Sequence, residues 1–179
     1  MSHSTGVFDA EQPLYVLSPV FVRHLNILSE ILLIAEKHTT ERNITPAALL
    51  SARLYPDMFP LTGQVRSACD TAQRTTARVL GKEPPSSEDA DKTFGEMQER
   101  IQKASTYVGG HPAGAFRGAE LRIIDFPLGK ETVKLTTREY LTRFSLPNFY
   151  FHIATAYDIL RHNGVVLGKR NFLGEISAA

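Results

Sequence analysis

Apolar residues recur at spacings of three and four along most of this chain, the signature of helices with one buried face. The longest such stripe runs through Val20, Phe21, Ile27, Leu28, Ile31, Ile34 and Ala35, with His24 and His38 on the same face. Ser18 followed by Pro19 supplies an N-cap and a first helical position, so the pattern predicts a first long helix from about 19 to 38. Thr45 and Pro46 repeat that start signal for a short helix in "PAALLSARL", ahead of the turn "YPD". Asp57 is expected to cap a second long helix from about 58 to 80, with Met58, Leu61, Val65, Ala68, Ala72 and Val79 inward and Pro60 harmless in the first turn. After the polar connection "GKEPPSSED", Thr93 and Glu96 have the form of a capping box. They open a third helix with Phe94, Met97, Ile101, Ala104 and Val108 inward, and Gly109 and Gly110 stop it.

Between about 120 and 135 the period drops from 3.6 to 2. Leu121 and Ile123 alternate with Glu120 and Arg122, "PLGK" turns the chain, and Val133 and Leu135 alternate with Thr132 and Lys134. This predicts a small hairpin. Thr136 and Glu139 form a second capping box opening the last long helix, which should end at Asn163 and Gly164. The tail "VVLGKRNFLG" is too short for a further element and is expected to fold back on the helices. The whole predicts an all-α fold in a single domain over residues 1–179: a four-helix bundle with a short extra helix and a small β-hairpin before the last helix. The long links leave room for crossover connections.

Composition narrows the function more than it names it. At 179 residues and 42% hydrophobic content, the chain can bury a core without staples. Twenty basic against nineteen acidic residues, scattered rather than blocked, leave a net charge of +1, so nothing favours nucleic acid or an anionic membrane. A single cysteine, Cys69, cannot form an internal disulfide, and the N-terminal stretch lacks the basic and apolar regions of a signal peptide. A cytoplasmic location is expected. The apolar-rich stretch 14–35 carries Arg23, His24, Asn26 and Glu30, which argues against a membrane span.

The densest chemistry lies in "PNFYFHIATAYDILRHNG", residues 147–164. Its two histidines, His152 and His162, are ten positions apart. On a helix that spacing means an advance of about 15 Å and an angular offset of about 80°, so they cannot share a metal ion. His162 sits beside Arg161 in the last turn, where cations suit the helix dipole, and Asp158 is a further partner for it. His152 instead shares a stripe with Asn148 and Thr155, flanked by Phe144, Phe151 and Tyr157. Buried polar groups cost free energy unless paired, so that stripe needs side-chain partners, water or a ligand. His24 is one candidate partner. Pro147 removes a helical hydrogen bond, frees the carbonyl of Arg143 and should kink the helix where the polar stripe begins. The second helix offers Gln64, Cys69 and Asp70 beside small inner residues. No phosphate loop, nucleophile elbow, C-x-x-C or H-E-x-x-H motif is present.

The segments "ARLYPDMFPLTGQV", "ACDTA" and "LPNFYFHIATAYDILRHNGVVLGKRNFLG", in this order of elements, resemble the domain-of-unknown-function family DUF1993, within the DinB-like superfamily of metalloenzyme bundles. The resemblance spans about Leu17 to Gly174. It implies a DinB-like four-helix bundle. It also implies a divalent metal held by three histidines, one on the second helix and two separated by four positions on the last, in some members for thiol-dependent transfer or isomerisation. In this chain Asn148 and His152 fall where the last pair is expected, and residues 58–80 contain no histidine.

These readings lead to one expectation: a cavity between the first, second and last long helices that binds an unidentified small molecule without a tightly held metal. Asn148 and His152 would form its polar end, with Gln64, His24 and Tyr157 nearby and Phe144 and Phe151 as walls. In an enzyme, neutral His152 would be the general base. One alternative is a metal-dependent transferase or hydrolase in which Asp70, Cys69 or His24 joins His152 around nickel, zinc or manganese. Another is a structural or partner-binding module that forms a homodimer.

Overall fold

The computed structural model describes residues 17–86 and 91–176. The N-terminal stretch read above for a leader, and residues 87–89 of the "GKEPPSSED" connection, lie outside the described residues. Four long helices form the bundle: α1 (Leu17–Glu41), α3 (Leu61–Leu80), α4 (Phe94–Gly109) and α6 (Leu146–His162). Between them come α2 (Pro46–Leu50), two 3-10 turns, strands β1 (Ile123–Leu128) and β2 (Glu131–Thr136), and the single turn α5 (Thr137–Tyr140); α7 (Lys169–Leu173) follows α6. Helix α1 runs antiparallel to α4, since Ser29 bonds to Gln98 and Asn26 to Ser105. Helix α3 runs antiparallel to α6 and also packs on α4.

The apolar stripes fill one continuous core between the long helices, around Phe21, Leu25, Leu28, Leu61, Met97, Ile101, Phe149 and Ile153. The five inward residues expected on α4 are its five buried residues. Helix α1 is rotated from the expected stripe: Leu25 and Leu32 are fully buried, whereas His24, Ile34 and His38 lie at the core's edge. By length and composition α1 could cross a membrane, with a mean hydropathy of 1.4 in its best window. In the fold, its apolar side chains form one wall of the core.

Helix starts follow local chemistry where a side chain can reach an orphan N–H. Both capping boxes form: Thr93 Oγ1 accepts from the Glu96 N–H at 3.1 Å, and Thr136 Oγ1 accepts from the Glu139 N–H at 3.3 Å. Other expected starts are corrected. Ser18 lies inside α1, with its hydroxyl buried and unpartnered among the described residues. Asp57 caps nothing; α3 begins only after Pro60, and Met58 sits in the preceding loop. Thr45 precedes Pro46 as expected but makes no side-chain cap, and α2 ends at Leu50 rather than running through "SARL".

The hairpin forms, with Val133 and Leu135 inward on β2 and the even-numbered Ile124 and Phe126 inward on β1. Ile124 pairs with Leu135 and Phe126 with Val133, and these residues supply the inner face. Leu121 and Ile123, expected inward, are exposed, because residues 119–121 form a 3-10 turn and the strand starts one phase later. A one-residue slip moves every side chain to the other face. The hairpin covers a second small core of Val79, Phe116, Ile124, Phe126, Tyr140 and Leu141, packed with Phe144.

Two further expectations are amended at the C-terminal end. The last long helix is not simply kinked at Pro147; residues Leu141–Ser145 widen into a π turn just before it. A wider turn relieves the clash between the proline ring and the preceding carbonyls. The tail does fold back, but it also forms α7 against α1, where Arg23 donates to the carbonyls of Leu173 and Glu175 at 2.8 and 2.7 Å.

The two cores predict separable stability. Phe126 is almost fully buried in the small one, so Phe126→Ala should cost about 3 kcal/mol. Hydrogen exchange should show protection lost across residues 123–136 with α1 and α4 still protected.

Candidate functional site

The seam between α3 and the π turn and first two turns of α6 carries three polar rungs. Thr75 Oγ1 and Ser145 Oγ share a hydrogen bond of 2.6 Å. One turn on, Asn148 Nδ2 donates to Thr71 Oγ1 at 2.8 Å, and Thr71 donates in turn to the Ser67 carbonyl at 2.7 Å. Next, His152 Nδ1 lies 2.8 Å from Gln64 Oε1. Each rung satisfies groups that would otherwise be buried without partners.

The final rung has a defined polarity. Gln64 Nε2 donates to the Phe59 carbonyl at 3.1 Å, which fixes the carboxamide with Oε1 toward the imidazole. Nδ1–H of His152 therefore donates, and Nε2 keeps a lone pair. No described residue hydrogen-bonds that nitrogen. Burial pushes the His152 pKa down to about 4, so the ring is neutral at pH 7.

Beside this ring lies an open cleft of about 210 Å³ lined by Asp57, Met58, Phe59, Gln64, Phe151 and His152. The loop ahead of α3 forms one wall and α6 the other. Phe59 and Phe151 are half-exposed, and the Phe151 ring centroid lies 5.3 Å from that of His152.

Of the residues expected to build the site, the structure brings Gln64, His152 and Phe151 together and places the others elsewhere. Asn148 bonds to Thr71 and does not line the cleft. His24 donates from Nδ1 to the Val20 carbonyl at 2.9 Å and packs edge-on to Tyr150. Tyr157 packs on Phe172 of α7. Phe144 belongs to the hairpin core with Phe126 and Tyr140. The cleft therefore lies between α3, α6 and the 57–59 loop, not between the first, second and last long helices. Sequence reasoning missed Phe59 as a wall and Thr71, Thr75 and Ser145 as rungs. The signal was present: residues 64, 71 and 75 share a face of α3 at helical spacing.

The donors beside His152 do not fit a divalent metal held as in DinB-like bundles. Gln64 and Asn148 offer carboxamides already committed to hydrogen bonds. Among the described residues, no three His, Cys, Asp or Glu side chains cluster closely enough to hold an ion. Cys69 is fully buried, and burial drives its thiol pKa far up, so it stands as a neutral thiol inside the core. Asp70 pairs with Arg74 at 3.4 Å.

Residues 14–173 match the family model described as "Domain of unknown function (DUF1993)". The fold is similar to the crystal structure of a DinB family member protein from Shewanella denitrificans, with 37% sequence identity and a TM-score of 0.86 over 93% of this chain and 94% of that one. No curated protein matches.

The depressed histidine pKa makes stability depend on pH. In the unfolded chain His152 protonates near pH 6.5, whereas in the fold it does so only near pH 4. The unfolded state therefore binds the extra proton first, and stability falls as pH drops from about 6.5 to about 4, then levels. Chemical denaturation should show a loss on the order of 2 kcal/mol over that window, relative to His152→Gln measured in parallel. Removing one hydroxyl of the Thr75–Ser145 pair strands the other, so Thr75→Val or Ser145→Ala should each cost about 1–3 kcal/mol and the double variant less than their sum.

Proposed function

The chain belongs to the DUF1993 family and has the DinB-family fold, and on that premise we propose that it binds a small molecule in the cleft beside His152 without a tightly held metal. The observation that carries this reading is the imidazole's state: neutral, oriented by Gln64, and presenting an Nε2 without a partner among the described residues, beside two half-exposed phenyl rings. Such a site suits a largely apolar ligand carrying one O–H or N–H donor. A base of pKa about 4 accepts protons poorly at neutral pH. His152 thus acts as a hydrogen-bond acceptor that orients the ligand, and any catalytic step would need the ligand to raise its basicity. The expected setting is the cytoplasm.

A second reading, a partner-binding or dimerisation module, is favoured by one observation. Leu54, Tyr55, Phe59 and Phe151, on and beside the cleft walls, expose apolar surface.

A thermal-shift screen of small neutral aromatic alcohols and amides should return ligands that raise the melting temperature of the wild type, and His152→Gln should abolish the shift. A mass that rises with concentration and falls back in Phe59→Ser, with no ligand found, would favour the partner-binding reading. Stoichiometric nickel, zinc or manganese in protein purified without a histidine tag, lost in His152→Ala, would overturn the metal-free reading.

A further inference from the structure

A second cleft lies at the opposite end of α3, between its C-terminus and β1. It encloses about 410 Å³ and is bordered by Arg78, Lys82 and Arg122, with Glu83 and Asp125 on its rim. None of the three cations forms an ion pair with a described carboxylate. Asp125 is already neutralised by Lys134 at 3.1 Å. The negative end of α3 and Glu83 account for part of the positive charge, but a helix terminus carries only about half a charge. A surplus of more than one positive charge remains over a space of small-molecule size.

Of the three cations, Arg78 is held in place. Arg78 donates from Nη1 to Tyr140 Oη at 3.0 Å, and its guanidinium lies 5.7 Å from the Phe126 ring centroid. Its other N–H groups have no described acceptor. The Arg122 guanidinium rests against Gly81, the left-handed cap of α3 at φ 69°. Glycine makes that left-handed turn without strain, and the guanidinium tip lies in the space beside its Cα. No described acceptor engages that guanidinium. Ile124 and Pro127 add an apolar floor.

We propose that this cleft is a second binding site, separate from the one beside His152, for a small molecule bearing a multiply charged oxyanion, held by Arg78, Lys82 and Arg122. Phosphate esters and polycarboxylates share this chemistry. Bidentate guanidinium contacts and charge-assisted hydrogen bonds supply the affinity, and the apolar floor takes the body of the ligand.

Isothermal titration of the full chain with inorganic pyrophosphate and, separately, citrate at low ionic strength tests this. Saturable one-to-one binding of either anion is expected. Arg122→Gln and Lys82→Gln should each weaken it about tenfold or more, and Lys103→Gln on α4 should leave it unchanged. Whichever anion binds more tightly identifies phosphoryl or carboxylate as the natural group. Because Lys82 and Arg122 are exposed, both variants should melt like the wild type. Absence of saturable binding for both anions, or binding that survives both substitutions or is lost equally in Lys103→Gln, would overturn the proposal.

Discussion

The constraint that organises this molecule is that polar groups buried between α3 and α6 must be satisfied inside the protein. Apolar packing alone would let two helices slide or rotate past one another at modest cost. A ladder of specific donors and acceptors does not: Ser145 meets Thr75, Asn148 meets Thr71 and His152 meets Gln64, and a shift of one turn would break all three of these pairs, including the one between His152 and Gln64. Buried unpaired groups cost about 1–3 kcal/mol each, so the alignment is set by hydrogen bonding and reinforced by the surrounding apolar core. That alignment brings the Phe59 loop and Phe151 to either side of one imidazole.

The same ladder sets the donors at this seam apart from a cluster of facing histidines. Histidines facing one another across such a seam would share a cation, whereas a carboxamide facing a histidine shares a proton. Gln64 donates to a backbone carbonyl with its nitrogen and accepts from the imidazole with its oxygen, which leaves the ring uncharged in a partly dry site. The family relationship establishes the fold; the chemistry of the cleft rests on this chain's own residues.

Much of the fold was legible because helix periodicity and capping are local. The α4 stripe and both capping boxes could be read from residues within a turn or two of each other. The failures came where distant residues decide. Hairpin phase depended on a 3-10 turn that consumes residues 119–121, and the rotation of α1 depended on what α4 and α6 present to it. For the site, the partly polar face of α6 was visible, but its partners were not. Thr71 and Thr75 carry no signal of their own until α3 is placed opposite α6. His24, Tyr157 and Phe144 were drawn into the site by type and spacing, although their neighbours lie on α1, α7 and the hairpin.

The π turn at Leu141–Ser145 links the two cores through the geometry of one helix. It lets Tyr140 and Phe144 face the hairpin while Ser145 and Asn148 face α3. Deleting one residue there would restore ordinary helical winding but rotate everything upstream by about 100° relative to α6. Tyr140 would swing away from Phe126, and the hairpin would lose its seat. The count of residues in this short segment is therefore under stricter constraint than the identity of its exposed members: point changes at Thr142 or Arg143 are tolerable, whereas gaps and insertions are not.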